Sequence, residues 1–247
     1  MSIQSEAELE ALREVGRITR QTLDALENRV RVGVSTAELD KVAADLFAKH
    51  GARSAPALVY GFPGSALISI NDEVVHGVPG PRRLKRGDLV SLDVTVEKNG
   101  YIADAARSVV VGTGNDTAQR LVVCARAAFN AALAVARAGV RANEIGRAVE
   151  TEVRRHGFSV VHGLTGHGVG RTIHEPPSVP NMYDPRQKDV LTEGLVLTIE
   201  PMICAGSPEP VTASDGWTVR TKDGSLAAHH EHTLVITRDA PMILTAA

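Results

Sequence analysis

Aromatic residues are scarce. They make up 3% of the 247 residues, with one Trp, three Tyr and four Phe. So few rings leave no stacking platform for single-stranded nucleic acid. A net charge of −2 gives no basic footprint for phosphates. There are two cysteines, Cys124 and Cys204, with no C-x-x-C spacing, which fits a reduced, intracellular chain rather than a disulfide scaffold. No apolar run approaches the roughly 20 residues of a membrane span. The opening "MSIQSEAELE" is polar and acidic, unlike a secretory signal. The 43% of hydrophobic residues are enough to bury a full core. The expectation is a globular, cytoplasmic, monomeric protein with no membrane and no specific nucleic-acid partner.

Helical periodicity predicts a first helix from Ser5, where Glu8 suggests a capping box, and a second from Ser35 or Thr36, backed by Glu38 and ended at Gly51. A second helical pair is expected over about 116–138 and 143–156. Strands are expected near 66–70, 89–96, 104–111, 195–200 and 231–237. "GVSTAELDKVAADLFAKHG" from Gly33 and "GVRANEIGRAVETEVRRHGF" from Gly139 repeat one pattern at an offset of 106 residues, and the match carries on to Leu89-Val90 and Leu195-Val196. A duplicated helix–helix–strand unit is therefore expected, with halves of about 1–115 and 116–247 in a single domain.

The stretch "LVSLDVTVEKNGYIADAARSVVVG" reads as a hairpin about Asn99-Gly100. That turn pairs Thr95 with Asp104 and puts Asp93 on the same face, about 7 Å away diagonally. Strand interiors avoid aspartate, so two on one face need a reason. Either one is protonated, or a cation lies between them, or the hairpin is an edge open to water. Glu200 closes the apolar run "LTIEPM", Glu231 sits in "AAHHEHTLVIT", and "TGHGVGRTIHEPP" offers His167 and His174 among glycines. Carboxylates with an imidazole and no thiolate suit Mn, Fe, Co or Zn in a hydrolytic centre better than a structural zinc site.

With these residues in view, the chain resembles the type I methionine aminopeptidases of the bacterial kind. The similarity rests on "SINDEVVHGVP", the hairpin, "TGHGVGRTIHEPP", "TIEPM" and "DGWTVRTKDGSLAAHHEHT", in this order. It implies the pita-bread fold, an α/β (α+β) architecture of pseudo-two-fold halves around a central antiparallel sheet. It implies Asp93, Asp104, His167, Glu200 and Glu231 as ligands of two divalent ions (Co, Mn, Fe, Zn or Ni), with Asp104 and Glu231 bridging. It implies a metal-activated water as nucleophile, Glu200 as proton shuttle, and His76 and His174 as groups that contact the peptide and stabilise the tetrahedral intermediate. Phe62, Ile173 and Trp217 fall at positions of the methionine pocket, with Val59, Tyr60 and Leu67 nearby. The substrates implied are nascent peptide N-termini with a small second residue, and the ribosome surface is a further candidate partner. This chain opens Met1-Ser2, which that specificity would process.

Two departures and two rivals stand beside the resemblance. Ala105 and Ala106 follow Asp104 where relatives often have hydroxyl residues, so a hydrogen bond around one ion is expected to be missing. His229, His230 and His232 around Glu231 read as structural or exposed. The rivals are a proline-directed aminopeptidase or prolidase of the same fold, and a non-enzymatic binding protein that kept the fold and lost its metals.

Overall fold

Serine starts both helices of the first pair. In the computed structural model, which describes residues 1–246, Ser5 accepts from the Glu8 amide and Ser35 from that of Glu38. Only the second forms the complete capping box, with Glu38 Oε2 taking the Ser35 amide at 2.8 Å. Glu8 instead accepts from the Gln4 amide and from Arg171.

The helices are α1 (Glu6–Glu27), α2 (Thr36–His50), α3 (Ala55–Tyr60), α4 (Asp116–Val135) and α5 (Ala142–Arg155). The strands are β1 (Arg53–Ser54), β2 (Leu67–Ile70), β3 (Glu73–Val75), β4 (Leu89–Lys98), β5 (Tyr101–Val110), β6 (Ser159–Val160) and β7 (Thr165–Gly168). They continue with β8 (Glu175–Pro180), β9 (Val196–Ile199), β10 (Met202–Cys204), β11 (Pro210–Thr212), β12 (Val219–Thr221), β13 (Ala227–Val235) and β14 (Met242–Ile243). The main sheet runs β1-β4-β5-β13-β9-β7-β8, with β2, β10 and β14 attached beside it and β6 paired to β10. A second, three-stranded sheet has the order β11-β12-β3. The strand pairs are antiparallel.

The expected elements are present with shifted ends. Gly51 ends α2 in the left-handed conformation, as its position suggested. The short α3 was not expected; Pro56 opens its first turn and Gly61 closes it at φ 73°. The hairpin turn is as read: Asn99 and Gly100 have φ of 52° and 79°, and Thr95 lies opposite Asp104.

One apolar cluster lies where α1 and α2 cover the first half's strands, with Leu12, Ile18, Leu39 and Leu92 inside. A second lies where α4 and α5 cover β9 and β13, with Leu121, Ile145, Val149 and Leu197 inside. Each fully buried leucine contributes roughly 1.5–3 kcal/mol. The sheet is thus backed by one helix pair from each half, and its other face is free to carry the acids. By length and composition α4 is apolar enough to cross a membrane, a stretch the sequence reading passed over. Here Leu121, Cys124, Ala128 and Phe129 face the second core, and its apolar character serves that packing.

His230 and His232 point to the helical side of β13, with their rings 5.3 and 5.1 Å from that of Phe129. Burial, reinforced by neighbouring imidazoles and the Arg107 guanidinium, pushes His230 down to about 3. Burial and Arg107 push His232 down to about 4. Both folded pKa values lie below the ordinary 6.5, so the stability from keeping these rings neutral is complete above pH 6.5. It is lost as pH falls towards 4, because the unfolded chain binds the protons. The drop in Tm between pH 7 and pH 5, followed by calorimetry, is therefore expected to be smaller in His230→Gln than in the parent. An equal drop would show that the ring is not kept neutral by the fold.

Candidate active site and metal centre

Strand alternation assembles the site. Thr95 faces Asp104 across the hairpin, Asp93 faces Ala106, and Ala106 in turn faces Glu231 on β13. Side chains of directly opposed residues share a face, so Asp93, Asp104 and Glu231 project together, away from the helices. Glu200 follows the last residue of β9, and His167 lies in β7. The glycines around His167 are required by close approach: a Cβ on Gly166 would stand 2.6 Å from the Thr198 carbonyl oxygen, and one on Gly168 2.3 Å from that of Pro176.

A cavity of about 300 Å³ opens over this face, and all ten sequence-assigned residues line it. At its inner end His167 Nε2 is 3.3 Å from Glu200 Oε1. The other ring nitrogen, Nδ1, is 2.9 Å from the Gly168 carbonyl oxygen, a partner that only an N–H satisfies. The lone pair is therefore on Nε2, facing the acids. Thr198 Oγ1 donates to Glu200 Oε1 at 2.8 Å, and Thr95 Oγ1 to Asp104 Oδ1 at 2.9 Å. Thus β4 supplies Asp104 with the hydroxyl that the Ala105-Ala106 pair led us to expect missing. Of these two alanines only Ala106 shares the acids' face, between Asp93 and Glu231; Ala105 pairs with His232 and faces away.

The electrostatics call for a cation. Burial, then the Asp104 charge, holds the Asp93 carboxyl well above its ordinary range. Burial, again with Asp104, does the same to Glu231. Asp104 is also raised, chiefly by burial, with the His167 ring opposing. Glu200 is the exception: burial raises it, but the His229 and His167 imidazoles beside it, with the Thr198 hydroxyl, outweigh that, and its pKa is lowered. Asp93 Oδ1 and Glu231 Oε1 are buried without a hydrogen-bond partner, a costly state that a divalent ion relieves. Two groups have ligand atoms all within 4.8 Å of one another: Asp104, His167 and Glu231, and Asp93, His229 and Glu231. These residues fit a divalent metal.

The open end is organised differently. His76 has φ 60°, a strained backbone for a non-glycine residue. The next residue, Gly77, is held by its amide, which donates to Ser69 Oγ at 3.0 Å. Burial lowers the pKa of His76. Burial, and then the His167 ring, lowers His174 to about 4. Both rings are neutral at pH 7. Phe62 and Ile173 are buried, and the Phe62 ring meets Trp217 edge-on at 5.3 Å. Leu67 lines the cavity and Tyr60 stands at its mouth, whereas Val59 is 49% exposed on the outer side of α3.

Sequence reasoning missed His229. Far from exposed, it is buried in the cavity wall, 3.6 Å through Nε2 from both Glu200 and Glu231. The signal was available, because residues two apart on a strand share a face and Glu231 was already assigned to this one. His230 and His232 are partly buried on the other face.

The profile of metallopeptidase family M24 matches residues 10–238. The chain belongs to metallopeptidase family M24. Within that family it is 43% identical over 247 residues to methionine aminopeptidase 2 of Bacillus subtilis, covering 99% of each chain. It is 42% identical to a methionine aminopeptidase of Clostridium perfringens, over 98% of each. The crystal structure of the methionine aminopeptidase from Rickettsia prowazekii superposes with a TM-score of 0.95 at 37% identity, with all of both chains covered. This M24 chain therefore has the pita-bread fold. The prolidase of Pyrococcus furiosus, another structure of similar fold, gives a TM-score of 0.80 at 25% identity, and the M24 chain covers only 65% of its length.

Proposed function

We infer that the protein removes the initiator methionine from nascent polypeptides whose second residue is small, by attack of a metal-activated water on the first peptide bond. One observation carries this reading: the acids and imidazoles converge at the inner end of a cavity whose other wall is Phe62, Ile173 and Trp217. The apolar wall takes the methionine side chain, and the acid cluster holds the metal beside the peptide bond. The whole chain acts as one catalytic domain of two related halves, with Asp93 and Asp104 from the first and Glu200 and Glu231 from the second. These four acids and His167 would hold two divalent ions (Co, Mn, Fe, Zn or Ni), with Asp104 and Glu231 common to both. The protein works as a cytoplasmic monomer, on chains emerging at the ribosome surface.

When bound, the metal supplies Lewis acidity that acidifies water and polarises the scissile carbonyl. The protein's residues do the rest. Glu200, kept ionised and aimed by Thr198 Oγ1, takes the proton from the attacking water and returns it to the leaving amine. His76 and His174 are neutral donors and hydrogen-bond the charge that develops on the carbonyl oxygen and the amide. Their neutrality matters, because imidazolium beside the acids would compete with the metal for the same negative charge.

The test is a peptide panel with Mn-, Co- or Fe-loaded protein. Release of methionine from Met-Gly-Met and Met-Ala-Ser is expected. No release from either with any metal would sink the reading, and rapid cleavage of X-Pro peptides with none of Met-Ala peptides would replace it with a prolidase.

Tyr60 adds a finer prediction. Its hydroxyl is 2.6 Å from His174 Nδ1, the hydrogen bond that fixes this ring. A phenol donating there leaves the imidazole proton on Nε2. Tyr60→Phe is expected to lower kcat about tenfold, with KM and metal content nearly unchanged. Steady-state kinetics on Met-Ala-Ser decide it, and an unaltered kcat would mean that the hydrogen bond does not orient the ring.

A further inference from the structure

The ligand set drawn from the resemblance has one imidazole, His167. The structure brings a second to the same place. His229 is 1% exposed, and neither of its ring nitrogens has a hydrogen-bond partner among the described residues. An ordinary core histidine satisfies at least one nitrogen, because an unpartnered buried polar atom is costly. Nor is the ring loosely placed. The His229 amide donates to Ser108 Oγ at 2.8 Å, and that hydroxyl donates to the His229 carbonyl oxygen at 2.9 Å. With Met202 paired opposite on β10, the backbone is fixed and the side chain is delivered to the acids' face.

There Nε2 lies 3.6 Å from Glu231 Oε2 and 3.6 Å from Glu200 Oε2. Two donors on one ion, each about 2.1 Å from it, stand no more than about 4.2 Å apart, so His229 and Glu231 are spaced to share an ion. Asp93 completes that group, and its orphaned Oδ1 is a further buried donor atom in need of a cation. The second group, Asp104, His167 and Glu231, has the same make-up of two carboxylates and one imidazole. Glu231 belongs to both.

We propose that His229 is a sixth protein ligand of the metal centre, its Nε2 binding the ion held by Asp93 and Glu231. Each ion then has one imidazole, His229 on one and His167 on the other. This rests on the dinuclear reading above. It has a chemical consequence: an added nitrogen donor moves a carboxylate site away from manganese and towards zinc, cobalt and nickel.

The test uses zinc-loaded protein labelled with nitrogen-15 in histidine. Long-range proton–nitrogen NMR distinguishes a metal-bound ring nitrogen from a free or protonated one. Two rings with zinc-shifted nitrogens are expected, and the His167→Gln and His229→Gln spectra assign them. A single shifted ring in the parent overturns the proposal, with no need for a variant to fold. In calorimetric titrations His229→Gln is expected to weaken one zinc or cobalt ion about 100-fold, and manganese less than tenfold. Equal losses for all three metals would overturn it, since they mark a ring that merely shapes the acids. Methionine release from Met-Ala-Ser is measured on the same samples. An active protein with one shifted ring refutes the ligand role alone; an inactive one with two refutes the function and leaves the ligand in place.

Discussion

Asp104→Ala and His167→Ala are expected to leave a folded protein with little metal and at least about 10³-fold less activity, whereas His174→Ala keeps its metal and loses about 10²–10³ in kcat. The two classes differ because of where the side chains stand. Asp104 and His167 belong to one ligand group with Glu231, so losing either removes a donor from the ion. His174 stands towards the mouth, its Nδ1 occupied by Tyr60, and acts on the substrate's developing charge. Metal analysis after gel filtration, beside the peptide assay, separates them. If His174→Ala also stripped the metal, its role as a donor to the intermediate would be wrong. A stability measurement sharpens the contrast. Burial disfavours the ionised Asp104 carboxyl in the metal-free fold, so metal-free Asp104→Ala is expected to melt no lower than the metal-free parent. A cavity cost alone would make it melt lower.

The hairpin shows how much of this was legible in sequence. Asn-Gly selects a two-residue turn, the turn sets the register, and the register places Asp93 and Asp104 on one face. Nothing beyond local geometry was needed. The failures are equally physical. β13 was expected to begin at Glu231, because "AAHH" has no β-branched residue and reads weakly as strand. It begins at Ala227, stabilised by pairing with β10 and by Ser108, contacts distant in sequence. That late start concealed His229. Helix α3 escaped for a different reason: six residues opening on Ala-Pro hold too little periodicity to register, yet α3 is what carries Tyr60 to His174. The hydroxyl on Asp104 was sought along β5 but comes across the hairpin from Thr95. Along one strand the sequence was readable; between strands, partners had to be seen.

Crowded acids make metal binding an exchange of protons for ions. In the metal-free protein burial and mutual repulsion hold Asp93 and Glu231 well above the ordinary carboxylate range, so the cluster carries protons where exposed carboxylates have lost theirs. Each entering ion must displace them. Calorimetric titration above the ordinary carboxylate range, in two buffers of different ionisation enthalpy, is expected to show proton release as the site fills, with affinity rising with pH until the raised carboxyls have ionised. The sign for stability follows. These folded-state pKa values lie above the unfolded ones, so the metal-free fold is favoured below the ordinary carboxylate pKa and loses that advantage as pH rises through the raised values. Metal restores it by pairing the ionised cluster. The gain in Tm on adding zinc or manganese should therefore grow as pH rises above the ordinary carboxylate range. Glu231→Gln, which removes one titrating group, should lower the proton count by up to about one. No proton release in the parent would mean that the acids are already ionised in the empty cluster.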